Sequence, residues 1–313
     1  MVTERKITPE RLTFKDFMAA FRAQYRYGYP QFYDKYSITE QMVRKNNKEL
    51  HGLIIRTPGN RIAPVFYYED FYKAYKKGTT IDECVKQIVS FVERKSVPGN
   101  DFGEKLTHWE SNCDKLILKM INYKNNRNLL MNTPFRFFGD MAVIVQIYMN
   151  DPVIGKGAIT VDNELMRIWS VSRSTLFDRA IENMKQYHVK MVDLMEISLV
   201  EEEYDSDAPR IFVVSYDADF HGASVMLQTD ILLDFARNRD MDFYVMPVST
   251  HEILLIERRE EMENEVILEM LKSINSDERL VDNMLSEEVY RLDRQDDRMR
   301  SLYSNEEVKM ADN

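Results

Sequence analysis

Cysteine is almost missing from this chain: 2 in 313 residues, Cys84 and Cys113. One pair cannot build a disulfide framework, and two thiols cannot complete a four-thiolate zinc site. Such sparing use fits a reducing compartment, so a cytoplasmic location is expected. Glycine and proline are scarce too, at 10 and 9 residues, which excludes collagen-like repeats and flexible Gly/Pro-rich linkers. No apolar run approaches the roughly 18 residues of a membrane span, and the opening MVTERKITPERLTF lacks the apolar stretch of a secretory leader. No membrane partner is expected. Glycine-rich phosphate loops are also absent: Gly155-Lys156-Gly157 comes nearest and lacks the spacing of a P-loop or dinucleotide fingerprint. No cofactor is expected, except a divalent metal under one alternative given below.

What is present is a globular composition, 44% hydrophobic and 30% charged, with too much apolar mass for a disordered chain. The charge is unevenly spread. Residues 1–150 hold 24 Lys and Arg against 16 Asp and Glu; residues 151–256 hold 9 against 19; residues 257–313 hold 9 against 17. A basic half and an acidic half in one chain of net charge −10 point to a charged protein partner or self-association. The acidic end can equally serve as an arm that shields the basic half. The segment Arg22–Tyr29 (RAQYRYGY) interleaves aromatics with bases, which is how single-stranded nucleic acid is gripped without sequence preference. The same rings can border a core. Nucleic acid bound by the basic N-terminal half is therefore the weaker alternative.

The order of elements reads as α+β. Thr8-Pro9-Glu10 has the form of a helix start, and Phe14, Phe17, Met18 and Phe21 follow at helical spacing, ending near Gly28 and Pro30. Three extended runs, 36–43, 50–56 and 62–68, are separated by turn residues in the manner of an antiparallel meander. Helices are expected over 68–77, 80–95 and 104–122, the second opened by a Thr80–Glu83 capping box. Strands are expected within 135–148 and over 155–161, then helices from Asn163 and over 172–187. Further strands are expected at 190–199, 211–216, 223–227, 242–246 and 252–257, with a helix at 229–238. The acidic run Glu201–Asp207 reads as a hairpin tip, the part beyond Glu257 as helical and polar, and 293–313 as frayed. The expected architecture is thus antiparallel or mixed sheets with flanking helices, in two subdomains packed together. Their boundaries are 1–130 (basic), 131–260 (central) and 261–313 (acidic helical segment and tail).

Two segments carry candidate chemistry. Asp217, Asp219 and His221 alternate in SYDADFHGA; on an extended strand all three share a face able to hold Mg²⁺, Mn²⁺ or Zn²⁺. Alternation of this kind is also what a solvent-facing strand shows. Ser249, His251 and Glu252 lie in PVSTHE between two expected strands. They are the residue types of a nucleophile, base and orienter, but neighbours in an extended turn point in alternating directions. The plainer reading is a tight hairpin whose polar side chains satisfy the turn backbone. His51, His108 and His188 stand alone.

The stretches VRKNNKELHGLIIR, PFRFFGDMAVIVQIYM, ITVDNELMRIWSVSRSTLFDRAIENM, DFYVMPVSTHEILLIE and MLSEEVYRLDR, in this order, resemble the bacterial domain-of-unknown-function family numbered 5688. The resemblance implies a bacterial protein of Firmicutes, clostridial in type, and carries over no catalytic residue. The function expected from the residues is a non-enzymatic protein-binding or regulatory module. The alternative is a metal-dependent hydrolase acting on phosphate esters or nucleic acid, with Asp217, Asp219, His221, His251 and Glu252 converging in one cleft.

Overall fold

The structure is a computed structural model and describes residues 11–58, 63–94, 100–151, 155–197, 208–218, 221–277 and 279–312. Two compact units emerge: residues 1–44 with 49–106, and residues 45–48 with 107–313. The fold is α+β with antiparallel sheets. Among the described residues no helix is long and apolar enough to cross a membrane.

The first unit is organised by aromatic packing. Helix α1 (Phe14–Ala23) starts at Thr13, whose hydroxyl accepts from the Asp16 amide. The expected cap at Thr8 lies outside the described residues, and 11–13 are not helical. A π-helical turn, Gln24–Gly28, leads to α2 (Pro30–Lys35), which opens on a proline suited to a first turn. Strands β1 (Ser37–Lys45), β2 (Lys48–Arg56) and β3 (Val65–Tyr67) form the expected meander. Helices α3 (Tyr68–Lys76), α4 (Ile81–Arg94) and α5 (Asn100–Leu106) follow. The capping box forms: the Thr80 amide donates to the Glu83 carboxylate at 2.8 Å and the Glu83 amide to Thr80 Oγ1 at 3.2 Å. Phe17 and Phe21 pack with Tyr68, Val85, Ile88, Leu53 and Ile55 in one core.

In the second unit, residues expected to extend a helix to Asn122 instead form β4 (Leu116–Asn122), preceded by two short 3-10 turns. Leu116, Ile117, Leu118, Met120 and Ile121 are all buried. A strand covered on both faces shows an apolar run without alternation, which apolar spacing cannot tell from a buried helix. Helix α6 (Arg127–Leu130) then leads to β5 (Phe135–Phe138), β6 (Met141–Asp151) and β7 (Gly155–Thr160). Both β5 and β7 pair with β6. Helix α7 (Asn163–Ile168) is capped by Asp162. Helix α8 (Arg173–Met184) is capped by Ser172 and buries Leu176, Ala180 and Met184 as expected.

The rest of the unit forms a six-stranded sheet. Strand β8 (Val189–Asp193) is shorter than expected because Asp193 accepts from the Met195 amide and turns the chain into α9 (Leu194–Ile197). The acidic run 201–207 lies outside the described residues. After β9 (Ile211–Tyr216), the expected strand at 223–227 is a buried 3-10 helix, Gly222–Leu227. Then come α10 (Thr229–Arg239), β10 (Phe243–Met246), β11 (Ile253–Glu257) and α11 (Asn264–Asn275). Three short strands end the chain: β12 (Tyr290–Leu292), β13 (Met299–Ser301) and β14 (Ala311–Asp312). The sheet order is β13-β12-β10-β11-β9-β8, while β14 joins the other sheet, β14-β5-β6-β4. The segment expected to fray therefore contributes a strand to each of the second unit's two sheets, and it buries Met299 and Val308. Its two apolar anchors are enough because ladder pairing uses backbone groups, whatever the side chains. Residues 131–260 and 261–313 consequently share one unit.

Candidate functional site

Two polar side chains interrupt apolar strands of the second unit. Lys119 lies in β4 within LILKMIN, and Gln146 in β6 within AVIVQIY. Lys119 sits opposite Ile144, so Lys119, Ile144 and Gln146 belong to the same face of the sheet. Gln146 Nε2 donates to Thr160 Oγ1 at 2.9 Å, which turns its Oε1 toward His221 Nε2, 2.6 Å away. In this network His221 Nε2–H is the donor and Nδ1 keeps the lone pair. That Nδ1 is sealed from solvent and has no hydrogen-bond partner.

His221 precedes the 3-10 helix, where the backbone comes very close to the hairpin Pro247–Glu252 joining β10 and β11. A Cβ on Gly222 would fall 2.0 Å from the His251 carbonyl oxygen, so only glycine fits. This approach sets the His221 and His251 rings 6.3 Å apart between centroids. The hairpin is as tight as expected: the Ser249 amide donates to the Glu252 carbonyl at 3.3 Å, and Ser249 Oγ accepts from the His251 amide at 3.1 Å. His251 itself is exposed, and it opens the cluster to solvent.

The electrostatics follow from burial and from positive neighbours. Burial, then the Lys45 charge, lowers Lys119 to about 8. Lys119 makes no ion pair or hydrogen bond with any described residue. Burial, then the Lys119 charge and His251, holds His221 well below the ordinary imidazole value. Burial and Lys119 also lower His251, against a smaller opposing pull from Glu252. At neutral pH the site is thus a group of nitrogens of lowered basicity with no carboxylate bound to them among the described residues.

Of the residues singled out from sequence, His221 and His251 are brought together. Glu252 is exposed beside them, and Ser249 holds the turn. Asp217 is exposed past the end of β9, its amide donating to the His188 carbonyl at 3.0 Å. Asp219 lies outside the described residues. Strand β9 ends at Tyr216 and the chain bends at 217–218, so Asp217 does not continue that strand. Among the described residues no group of three or more His, Cys, Asp or Glu is placed to hold a metal ion. Lys119 and Gln146 were missed; their signal was a lone polar residue in a long apolar run.

Other polar clusters are satisfied within themselves. Glu40 accepts from Arg22 Nε at 2.8 Å, Tyr68 OH at 2.8 Å and Tyr25 OH at 3.1 Å. Burial would raise the Glu40 carboxyl, but these donors and the Arg22 charge outweigh it and lower it, while burial pushes Tyr25 up to about 12. Arg22 and Tyr25 of the RAQYRYGY segment therefore face an internal carboxylate, whereas Tyr27 is 75% exposed. Asp140 likewise receives Ser286 Oγ at 2.6 Å, the Glu287 amide at 2.8 Å and Tyr290 OH at 3.0 Å.

The buried neutral His221 has a consequence for stability. Its folded pKa lies below its unfolded value of about 6.5. The stability it supports is complete above that pH and is lost as pH falls through the window toward the folded pKa. Urea midpoints between pH 7 and pH 5 should fall, by the equivalent of about 1.4 kcal/mol per pH unit from this group. His221→Gln should flatten that dependence; an unchanged slope would remove His221 as its source.

Comparison with known proteins adds a family. The sequence model of a family of unknown function, DUF5688, matches residues 14–294. No curated protein and no solved structure matches the chain.

Proposed function

Because the chain belongs to the DUF5688 family, whose matched span takes in residues of both compact units, we propose a function that uses the chain's most unusual chemistry. The second unit receives a small molecule bearing an anionic oxygen group, phosphate or carboxylate, at Lys119, His221 and His251. The observation that carries this reading is Lys119: a largely desolvated amine with no acidic partner among the described residues, on the same sheet face as the Gln146 that holds His221. A protein that needed this lysine only for stability would do better with an apolar residue or with a paired carboxylate. An arriving anion supplies the missing partner and favours the charged form of the amine. Entry is from the His251 side, where the cluster meets solvent. A cytoplasmic setting suits the reading, since Cys84 and Cys113 are both unpaired thiols. The protein-binding reading drawn from the charge map ranks below this one, because that map specifies no contacting atom.

Histidine NMR titration tests it. Acetate, lactate and inorganic phosphate, added separately, should move the His221 and His251 ring signals, and bound anion should raise the His251 pKa. Lys119→Met should abolish the anion response. It should also raise the His251 pKa in the unliganded protein, because a repelling charge is gone. A wild-type protein whose two histidine signals ignore all three anions would overturn the proposal.

A further inference from the structure

The anion site contains the parts of a covalent one. Resting on the ligand reading above, we infer that Lys119 is a nucleophile that condenses with the carbonyl carbon of a 2-oxo acid to form an imine. Three observations outside the titration behaviour lead there. Lys119, half-buried, projects from β4, the strand at one end of its sheet, in a run of buried apolar residues, and it makes no hydrogen bond or ion pair with a described residue. A lysine kept for charge alone is normally paired. Second, the nearby imidazole is held in one tautomer by Gln146, which is itself anchored on Thr160, and its Nδ1 lone pair is buried and unused. An unpaired buried acceptor is costly, and such positions mark sites where a proton is exchanged. Third, a second imidazole, His251, lies 6.3 Å from the first at the solvent edge. The lowered basicity of Lys119 is consistent with this role, as a desolvated amine beside another cation is the usual form of an imine-forming lysine.

The step balances with these groups alone. The neutral amine's lone pair bonds to the carbonyl carbon, and the carbonyl π pair moves to oxygen. The nitrogen's proton passes to the oxygen by way of His221 Nδ1, giving the carbinolamine. The C–O bond then breaks as the nitrogen lone pair forms the C=N bond, and the hydroxyl leaves as water with a proton that His251 relays from solvent, so the imine forms protonated. Amine plus carbonyl gives imine plus water, with no oxidant or reductant. The choice of a 2-oxo acid over a simple aldehyde follows from charge. Lys119 has no carboxylate of its own, so a ligand carrying one next to its carbonyl balances the protonated imine. Gln146 is a positioning residue here: it acts through the tautomer and orientation of His221.

Borohydride trapping on the full chain decides the matter. Wild-type protein incubated with pyruvate and reduced should gain the mass of the acid less one oxygen, and peptide mapping should find that mass on Lys119 in preference to the other lysines. Lys119→Met should lose the adduct. Gln146→Leu should slow trapping and shift its pH profile, a change that a purely structural role for Gln146 would not produce. Lactate, which has the carboxylate but no carbonyl, separates the two readings. If lactate moves the histidine signals while pyruvate labels no lysine, or labels surface lysines equally, the imine is overturned and the anion site stands. If neither acid moves the histidine signals and Lys119 stays unlabelled, both fall.

Discussion

Truncation after Leu292 should destabilise the second unit by about 3–6 kcal/mol, taking two well-buried apolar side chains at about 1.5–3 kcal/mol each. The two are Met299, 1% exposed in β13, and Val308, 9% exposed. Their loss uncovers β12, whose Tyr290 and Leu292 pair with Ser301 and Met299. It also removes β14 from the edge of β5 and the Asp312 carboxylate that Arg136 contacts at 2.8 Å. The ion pairs that Arg258 and Arg294 make around Asp293 and Asp242 are partly exposed and add little. Urea unfolding of the truncated and full-length chains measures the difference. Equal midpoints and equal m-values would mean that 293–313 is peripheral after all.

That segment shows where sequence reasoning loses sight of this fold. A count of large apolar residues marks 293–313 as too polar to pack, and by that measure it is. Strands of two or three residues need only backbone groups and one inward side chain, so they leave no periodic signal. Longer elements were legible: Ile211–Tyr216 and the hairpin at 247–252 formed where alternation and turn residues placed them. The capping box at Thr80 formed for the same reason, since its chemistry is local. Leu116–Asn122 failed in the opposite way. Buried on both faces, it carries no alternation, and a lone Lys119 in such a run passes for the polar face of a helix. Misreading the strand hid the lysine, and with it the centre of the site. His221 and His251, 30 positions apart in the chain, stood out as residue types, but nothing in their spacing brings the two rings together. A close backbone approach does that, and it depends on the absence of one atom.

Gly222→Ala tests that dependence. The added Cβ would lie 2.0 Å from the His251 carbonyl oxygen and 2.7 Å from the Ser215 Cβ. The first of these is backbone, in a hairpin fixed by the Ser249–Glu252 hydrogen bond and by the Thr250 amide donating to the Asn283 carbonyl at 3.1 Å. No side-chain rotation relieves the clash, so the 3-10 helix and the hairpin must separate. Overpacking of this kind costs about 1–3 kcal/mol, and the rigid neighbour places this case at the upper end. The larger effect should fall on the site. His221 is the residue just before the glycine, so separation draws it away from Gln146 and away from His251. The variant should therefore lose the His251 response to lactate and phosphate by a larger factor than its stability loss explains. Measuring both at a temperature where the variant remains folded separates the two effects. A variant that loses about 3 kcal/mol of stability yet binds anions like the wild type would show that the approach of these two backbones serves packing alone.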